Sequence, residues 1–127
     1  MPAFYKIDKE HGLVMSTASG VFDLAAALGH QDKLLADPEF DPRFSQLWDL
    51  SQVTRVELSP QDVRRLAERR VFWSCARRAI LVNSDLEFGF ARMFEILREN
   101  AGDTGIRVFR DLHEALEWVL PGAETGS

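Results

Sequence analysis

Polar and apolar residues alternate from Phe4 to Lys9, and after Glu10-His11-Gly12 the extended pattern resumes from Leu13 to Ser19. A period of two on both sides of a glycine turn predicts an opening β-hairpin, with Gly20 ending its second strand. The period then changes. Leu24, Ala27, Leu28, Gln31, Leu34 and Leu35 recur at helical spacing behind Asp23, a good N-cap residue, so a helix of about a dozen residues is expected up to Ala36. Gly29 within it costs roughly 1 kcal/mol relative to alanine, which predicts a close approach of helix to sheet at that point.

Asp37 to Pro42 is a turn-rich connector. Gln46 to Leu50 reads as a strand, Ser51-Gln52 as a polar break, and Thr54 to Leu58 as a second extended piece. Ser59-Pro60-Gln61-Asp62 opens a helix, because Ser59 can cap, Pro60 suits the first helical position and Asp62 favours the positive helix end. That helix is expected to run to about Ser74, with Val63, Leu66, Ala67, Arg70 and Val71 on one side. Ala79-Ile80-Leu81-Val82 is a continuous apolar run, the mark of a strand buried on both faces of a parallel sheet. Ser84-Asp85-Leu86-Glu87 forms a capping box before a third helix, with Leu86, Phe90, Phe94 and Leu97 facing inward. Gly102 and Gly105 bracket a turn, Ile106 to Phe109 is a last strand, and a closing helix starts at Asp111 and runs through Leu120. The order is ββαβαβαβα: an α/β domain over 1–120 with a mixed sheet of about five strands, an N-terminal antiparallel hairpin and four helices. Residues 121–127 read as a polar, frayed C-terminal tail.

Composition narrows this picture in a few places. A chain of 127 residues, 46% of them hydrophobic, has room for one core and enough apolar surface to fill it. A net charge of -5 argues against general nucleic-acid binding, which needs a basic footprint. Cys75 is the only cysteine, so neither an internal disulfide nor a cysteine metal site can form. No signal-peptide pattern opens the chain, and no run approaches the roughly 20 apolar residues that cross a bilayer. The expected location is the cytoplasm.

Several segments taken together carry a resemblance. They are the hairpin ending at Gly20, Asp37-Pro38-Glu39-Phe40 ahead of Leu47-Trp48-Asp49-Leu50-Ser51, and Ala79-Ile80-Leu81-Val82. Phe88-Gly89-Phe90-Ala91-Arg92-Met93 and Val108-Phe109-Arg110-Asp111 with Ala115-Leu116-Glu117-Trp118 complete the set. The ordered set, from about Tyr5 to Leu120, resembles the SpoIIAA-like (STAS/SEC14-like) single-domain bacterial proteins. The resemblance implies a STAS-like fold and a non-enzymatic regulatory domain that binds a protein partner. In anti-sigma-factor antagonists of that group a D-L-S strand precedes a D-S-[ST]-G phosphoacceptor loop. Asp49-Leu50-Ser51 matches the strand. The loop reads Glu57-Leu58-Ser59-Pro60, so Ser59 alone can take a phosphate and proline replaces the glycine. The SEC14-like side of the resemblance implies the alternative function, an apolar pocket for a lipid or small molecule, with peripheral membrane contact.

The residues supply candidates for these roles. Ser59 is either a helix cap or a phosphoacceptor. Asp49, Ser51, Asn83 and Ser84 fall at strand ends, where open α/β sheets bind ligands, and Phe88, Gly89 and Arg92 extend that wall along the third helix. Phe72, Trp73, Phe88 and Met93 are candidates for lining an apolar pocket. Arg64, Arg65, Arg69, Arg70, Arg77 and Arg78 make an arginine-rich segment that is either a solvated face or a docking patch, with Glu68 spaced to pair with Arg64. None of His11, His30 or His113 has a second ligand four residues on, and no catalytic motif or phosphate-binding glycine loop is present. No cofactor and no metal are expected. Cys75 is expected to be buried and inert, and a homodimer through a sheet edge or helix face is compatible with the pattern.

Overall fold

The structure, a computed structural model, describes residues 3–120. The tail expected at 121–127 lies outside the described residues. Strands β1 (Ala3–Asp8) and β2 (Leu13–Asp23) form the hairpin, and helix α1 (Leu24–Ala36) follows directly. Next come β3 (Ser45–Glu57), α2 (Pro60–Ala67), β4 (Arg78–Leu81), α3 (Asp85–Asn100), β5 (Ile106–Phe109) and α4 (Leu112–Val119). The five strands lie in the sheet in chain order, with β1 and β2 antiparallel and every later pair parallel.

Each helix begins where a side chain satisfies free backbone N–H groups. Asp23 accepts from the Ala26 amide, Ser59 from Asp62, Ser84 from Glu87 and Asp111 from His113. At Ser59 the box is closed, since Asp62 also accepts the Ser59 amide at 2.9 Å. At α3 it is shifted by one residue: the Glu87 carboxylate accepts the Asn83 amide at 3.0 Å.

Right-handed crossovers between strands laid down in one direction keep their helices on one side of a sheet. Accordingly α1, α2 and α3 share one face. There Ala18, Phe22, Ala27, Val53 and Leu66 pack together, beside a second cluster of Ile80, Val82, Ala91 and Ile106. The other face carries α4 alone, whose Ala115 and Val119 bury Leu13, Leu47, Ala79 and Leu81. Trp118 lies between the guanidinium groups of Arg77 and Arg107, at 4.3 and 4.0 Å from its ring centre.

Several local expectations are corrected. Gly20, at φ +66°, does not end β2; it sits at one of two register shifts between β2 and β3. Opposite Thr17–Ser19 the partner strand spends three steps, Asp49 to Gln52, and opposite Gly20–Val21 it spends two. These are β-bulges. The expected break at Ser51-Gln52 is therefore a bulge within one 13-residue strand. Gly29 makes no close approach, for a Cβ built there would meet nothing within 4 Å. The close approach is at Gly105, where a Cβ would lie 2.0 Å from the Ala76 carbonyl oxygen.

Helix α2 ends at Ala67 rather than near Ser74. The chain leaves the helix so that Phe72 can join Val14, Leu34 and Ala76 and meet Phe40 edge-on at 5.1 Å. Arg70 is consequently exposed rather than on a buried side, and so is Cys75. Leu35 and Leu86 also face solvent instead of the core.

Candidate functional site

The side chains that share the helix-covered face of the sheet define a cavity. In α1 the buried positions are Ala27, His30 and Leu34, a spacing that aims one stripe at the sheet. His30 is 4% exposed and its ring lies tilted over Trp48 at 4.5 Å, with Tyr5 edge-on at 5.6 Å. Its Nε2 is 2.8 Å from the Ser16 hydroxyl, which accepts from the Gln46 amide at 3.1 Å. Burial, with a smaller contribution from Lys33, pushes the imidazole pKa down to about 4, so the ring is neutral at physiological pH. Its Nδ1 has no hydrogen-bond partner among the described residues, and neither has Oε1 of the neighbouring Gln31.

Arg78, at the start of β4, and Arg98, in the last turn of α3, are both buried and both bind the buried Asp103. Arg78 grips that carboxylate with two donors and gives Nε to the Ala76 carbonyl at 3.0 Å. Arg98 donates Nε to Asp103 at 3.1 Å and Nη1 to the Ala67 carbonyl at 2.8 Å, closing the C-terminus of α2. Burial alone would raise the Asp103 pKa, but the Arg78 guanidinium, the Gly105 amide and Arg98 outweigh it and hold the carboxyl below the usual range. Two guanidinium groups thus share one carboxylate.

His30, Gln31, Gln46, Arg78 and Arg98 line a polar lobe of about 50 Å³, together with Trp48, Phe72 and Phe94. An apolar lobe of about 80 Å³ adjoins it, walled by Phe22, Leu50, Leu58, Leu66 and Phe90. Gln31, Trp48, Ile80 and Phe94 belong to both lobes. At the rim of the polar lobe Arg69 forms an ion pair with Asp32 of α1.

The residues expected from the sequence are distributed differently. Phe72 lines the polar lobe, whereas Phe88, Trp73 and Met93 line neither. Trp73 turns outward beneath the Arg43 guanidinium at 5.7 Å. Phe88 is half-buried beside Val82 and Ala91, with Arg110 at 4.8 Å from its ring centre. Gly89 is exposed with open space around it, and Arg92 pairs with Glu95 on the surface at 2.8 Å.

Asp49 is in register with Thr17 and Leu81, which sets it on the α4 side of the sheet, away from the cavity. One of its carboxylate oxygens accepts both the Ser51 amide, at 2.8 Å, and the Ser51 hydroxyl, at 2.6 Å, so it stabilises the bulge. Asn83 donates to the Ser51 carbonyl at 3.3 Å, and Ser84 is occupied as a cap. No hydrogen bond or ion pair among the described residues joins Asp49, Ser84, Cys75 and the histidines to one another. One exposed group, Asp8, Glu10 and His11 at the hairpin turn, brings potential ligand atoms within 4.8 Å of one another. Two of its members already bind each other, His11 Nδ1 lying 2.7 Å from Asp8.

Half of the arginine-rich segment is taken up by the fold. Arg69 holds Asp32, Arg77 stacks on Trp118 and Arg78 holds Asp103. Arg64, Arg65 and Arg70 are exposed, and none forms an ion pair among the described residues, so the expected Glu68–Arg64 pair is absent there.

No family model matches the sequence, and no curated protein matches it. Several solved structures are similar to this chain, among them these two. One is an uncharacterized protein of the DUF3478 family with a SpoIIAA-like fold from Shewanella loihica PV-4, at 19% identity and TM-score 0.56, covering 92% of this chain and 93% of that one. The other is an anti-sigma factor antagonist from Mycobacterium paratuberculosis, at 15% identity and TM-score 0.52, with the same two coverages. The fold is SpoIIAA-like, a mixed five-stranded sheet with an antiparallel opening pair and four helices. No helix among the described residues is long and apolar enough to cross a membrane.

Proposed function

We propose that this chain is a non-enzymatic regulatory domain that docks an acidic protein surface through the stretch from Ser51 to Arg70. The observation that carries it is the outer side of α2 and the turn after it. A molecule of net charge -5 keeps Arg64, Arg65 and Arg70 exposed there without an ion pair among the described residues, although carboxylates are abundant. Unpaired like charges on a short segment repel one another in the free protein, and an opposing acidic surface relieves that repulsion. The shared fold with an anti-sigma factor antagonist supports a regulatory role of this kind. Ser59 acts here as a cap. A phosphate on its oxygen would sit beside the Asp62 carboxylate that closes the capping box, and like charge disfavours that arrangement.

The test is capture of a partner from host-cell extract by the immobilised protein. Wild type is expected to retain a discrete partner that is released by about 0.5 M salt, where screening shortens to a few ångströms. The double variant Arg64→Glu, Arg65→Glu, with unchanged thermal stability, is expected to lose it. Equal retention by the double variant, or no specific partner at low salt, rejects the proposal.

A further inference from the structure

The cavity beneath α1 and α3 has a chemistry that the arginine surface does not use. Buried charges are stable when balanced, and here two buried guanidinium groups face a single carboxylate, a local excess of one positive charge. Among the described residues Arg98 engages Nε and Nη1; its third nitrogen makes no hydrogen bond there and is not sealed off, so its donors are open to a ligand. His30 adds a second, independent sign. It is more than nine-tenths buried, lines the same lobe, and its Nδ1 is unpartnered, as is Oε1 of Gln31. An orphaned buried polar atom costs about 1–3 kcal/mol. With the Ser16 hydroxyl donating to Nε2, His30 carries its proton on Nδ1 and can donate it to a carboxylate, and Gln31 meets the same group by turning its amide to offer Nε2 in place of Oε1.

The adjoining lobe fixes the rest of the ligand. It is walled by Phe22, Leu50, Leu58, Leu66 and Phe90 and offers no charge to a polar tail. An apolar cavity of about 150 Å³ takes up benzene, and the two lobes together are of that order. We infer that this cavity binds a small carboxylic acid with an apolar body, its carboxylate beside Arg98 and Arg78 and its hydrocarbon against Phe94 and Trp48. A body of about six carbons fills the two lobes. Opening of the Arg69–Asp32 pair at the rim gives the ligand its way in.

Hexanoate, hexan-1-ol and inorganic phosphate, each titrated calorimetrically into the intact protein, separate the contributions of charge and apolar burial. Wild type is expected to bind hexanoate at least tenfold more tightly than hexan-1-ol, with a change in tryptophan fluorescence, and to bind phosphate more weakly than either. Arg98→Met leaves Arg78 and Asp103 balanced and is expected to reduce the preference for hexanoate over the alcohol to within twofold. Ala27→Leu, which fills the apolar lobe without disturbing a polar group, is expected to weaken both organic ligands at least tenfold. Ala27→Leu remains informative if Arg98→Met does not fold. No hexanoate binding at millimolar concentration, phosphate binding as tightly as hexanoate, or undiminished binding by Ala27→Leu would overturn the assignment.

Discussion

His30 is the residue whose environment departs furthest from what its position in the chain announces. Its imidazole titrates near pH 4 in the folded protein and near 6.5 when exposed, because burial opposes its charging. Between those values the unfolded chain holds a proton that the folded chain does not, so stability falls as the pH drops from about 6.5 to 4. The slope is about 1.4 kcal/mol per pH unit and the total about 3 kcal/mol. Urea denaturation across that range should show it, and His30→Gln should remove it. Asp103 responds at lower pH, since its folded pKa is depressed. Its contribution is complete above about pH 4 and is lost as acid titrates it through the lower folded value. Asp103→Asn at neutral pH leaves two buried guanidiniums without a counter-charge and should cost about 3–5 kcal/mol by the same measurement.

At the scale of elements, glycine placement separates what sequence patterns reveal from what they conceal. Gly29 and Gly89 both lie in helices with empty space around them, whereas Gly105 has the Ala76 carbonyl against it. Gly89→Ala should therefore stabilise the protein by about 0.5–1 kcal/mol, and Gly105→Ala should destabilise it by more than about 2 kcal/mol, both readable as shifts in thermal midpoint. From sequence alone Gly29 looked like the tight site, because a glycine's cost is local while its cause is a distant backbone. The same distinction holds elsewhere. Asp23, Ser59, Ser84 and Asp111 could be read as caps because a cap and its amide lie within three residues of each other. The end of α2 could not, since it is decided by Phe72 meeting Phe40 and Leu34. The cavity was hidden for a similar reason. Arg78 and Asp103 are 25 positions apart, and the arginine was indistinguishable from its exposed neighbours until β4 and α3 were placed together.

For the whole molecule, strand order in the sheet equals strand order in the chain, and the helices divide unevenly between its faces. Three cover one side and α4 alone covers part of the other, leaving Phe4 and Met15 more than 40% exposed on the open part of that side. The alternation of patterns predicted the strands and helices but not this imbalance, which follows from handedness once every crossover runs in the same direction. The sequential order also bears on how the protein comes into being. Every strand from β2 onward finds its neighbour already made, so the sheet can extend by one βα unit at a time as the chain leaves the ribosome, without waiting for a distant partner. Only the surface formed by Leu13, Leu47, Ala79 and Leu81 must wait for the last helix. A sheet assembled in this order passes through a form in which the helix-rich side is complete and the opposite side is a bare apolar strip, the form in which the folding chain is most open to aggregation.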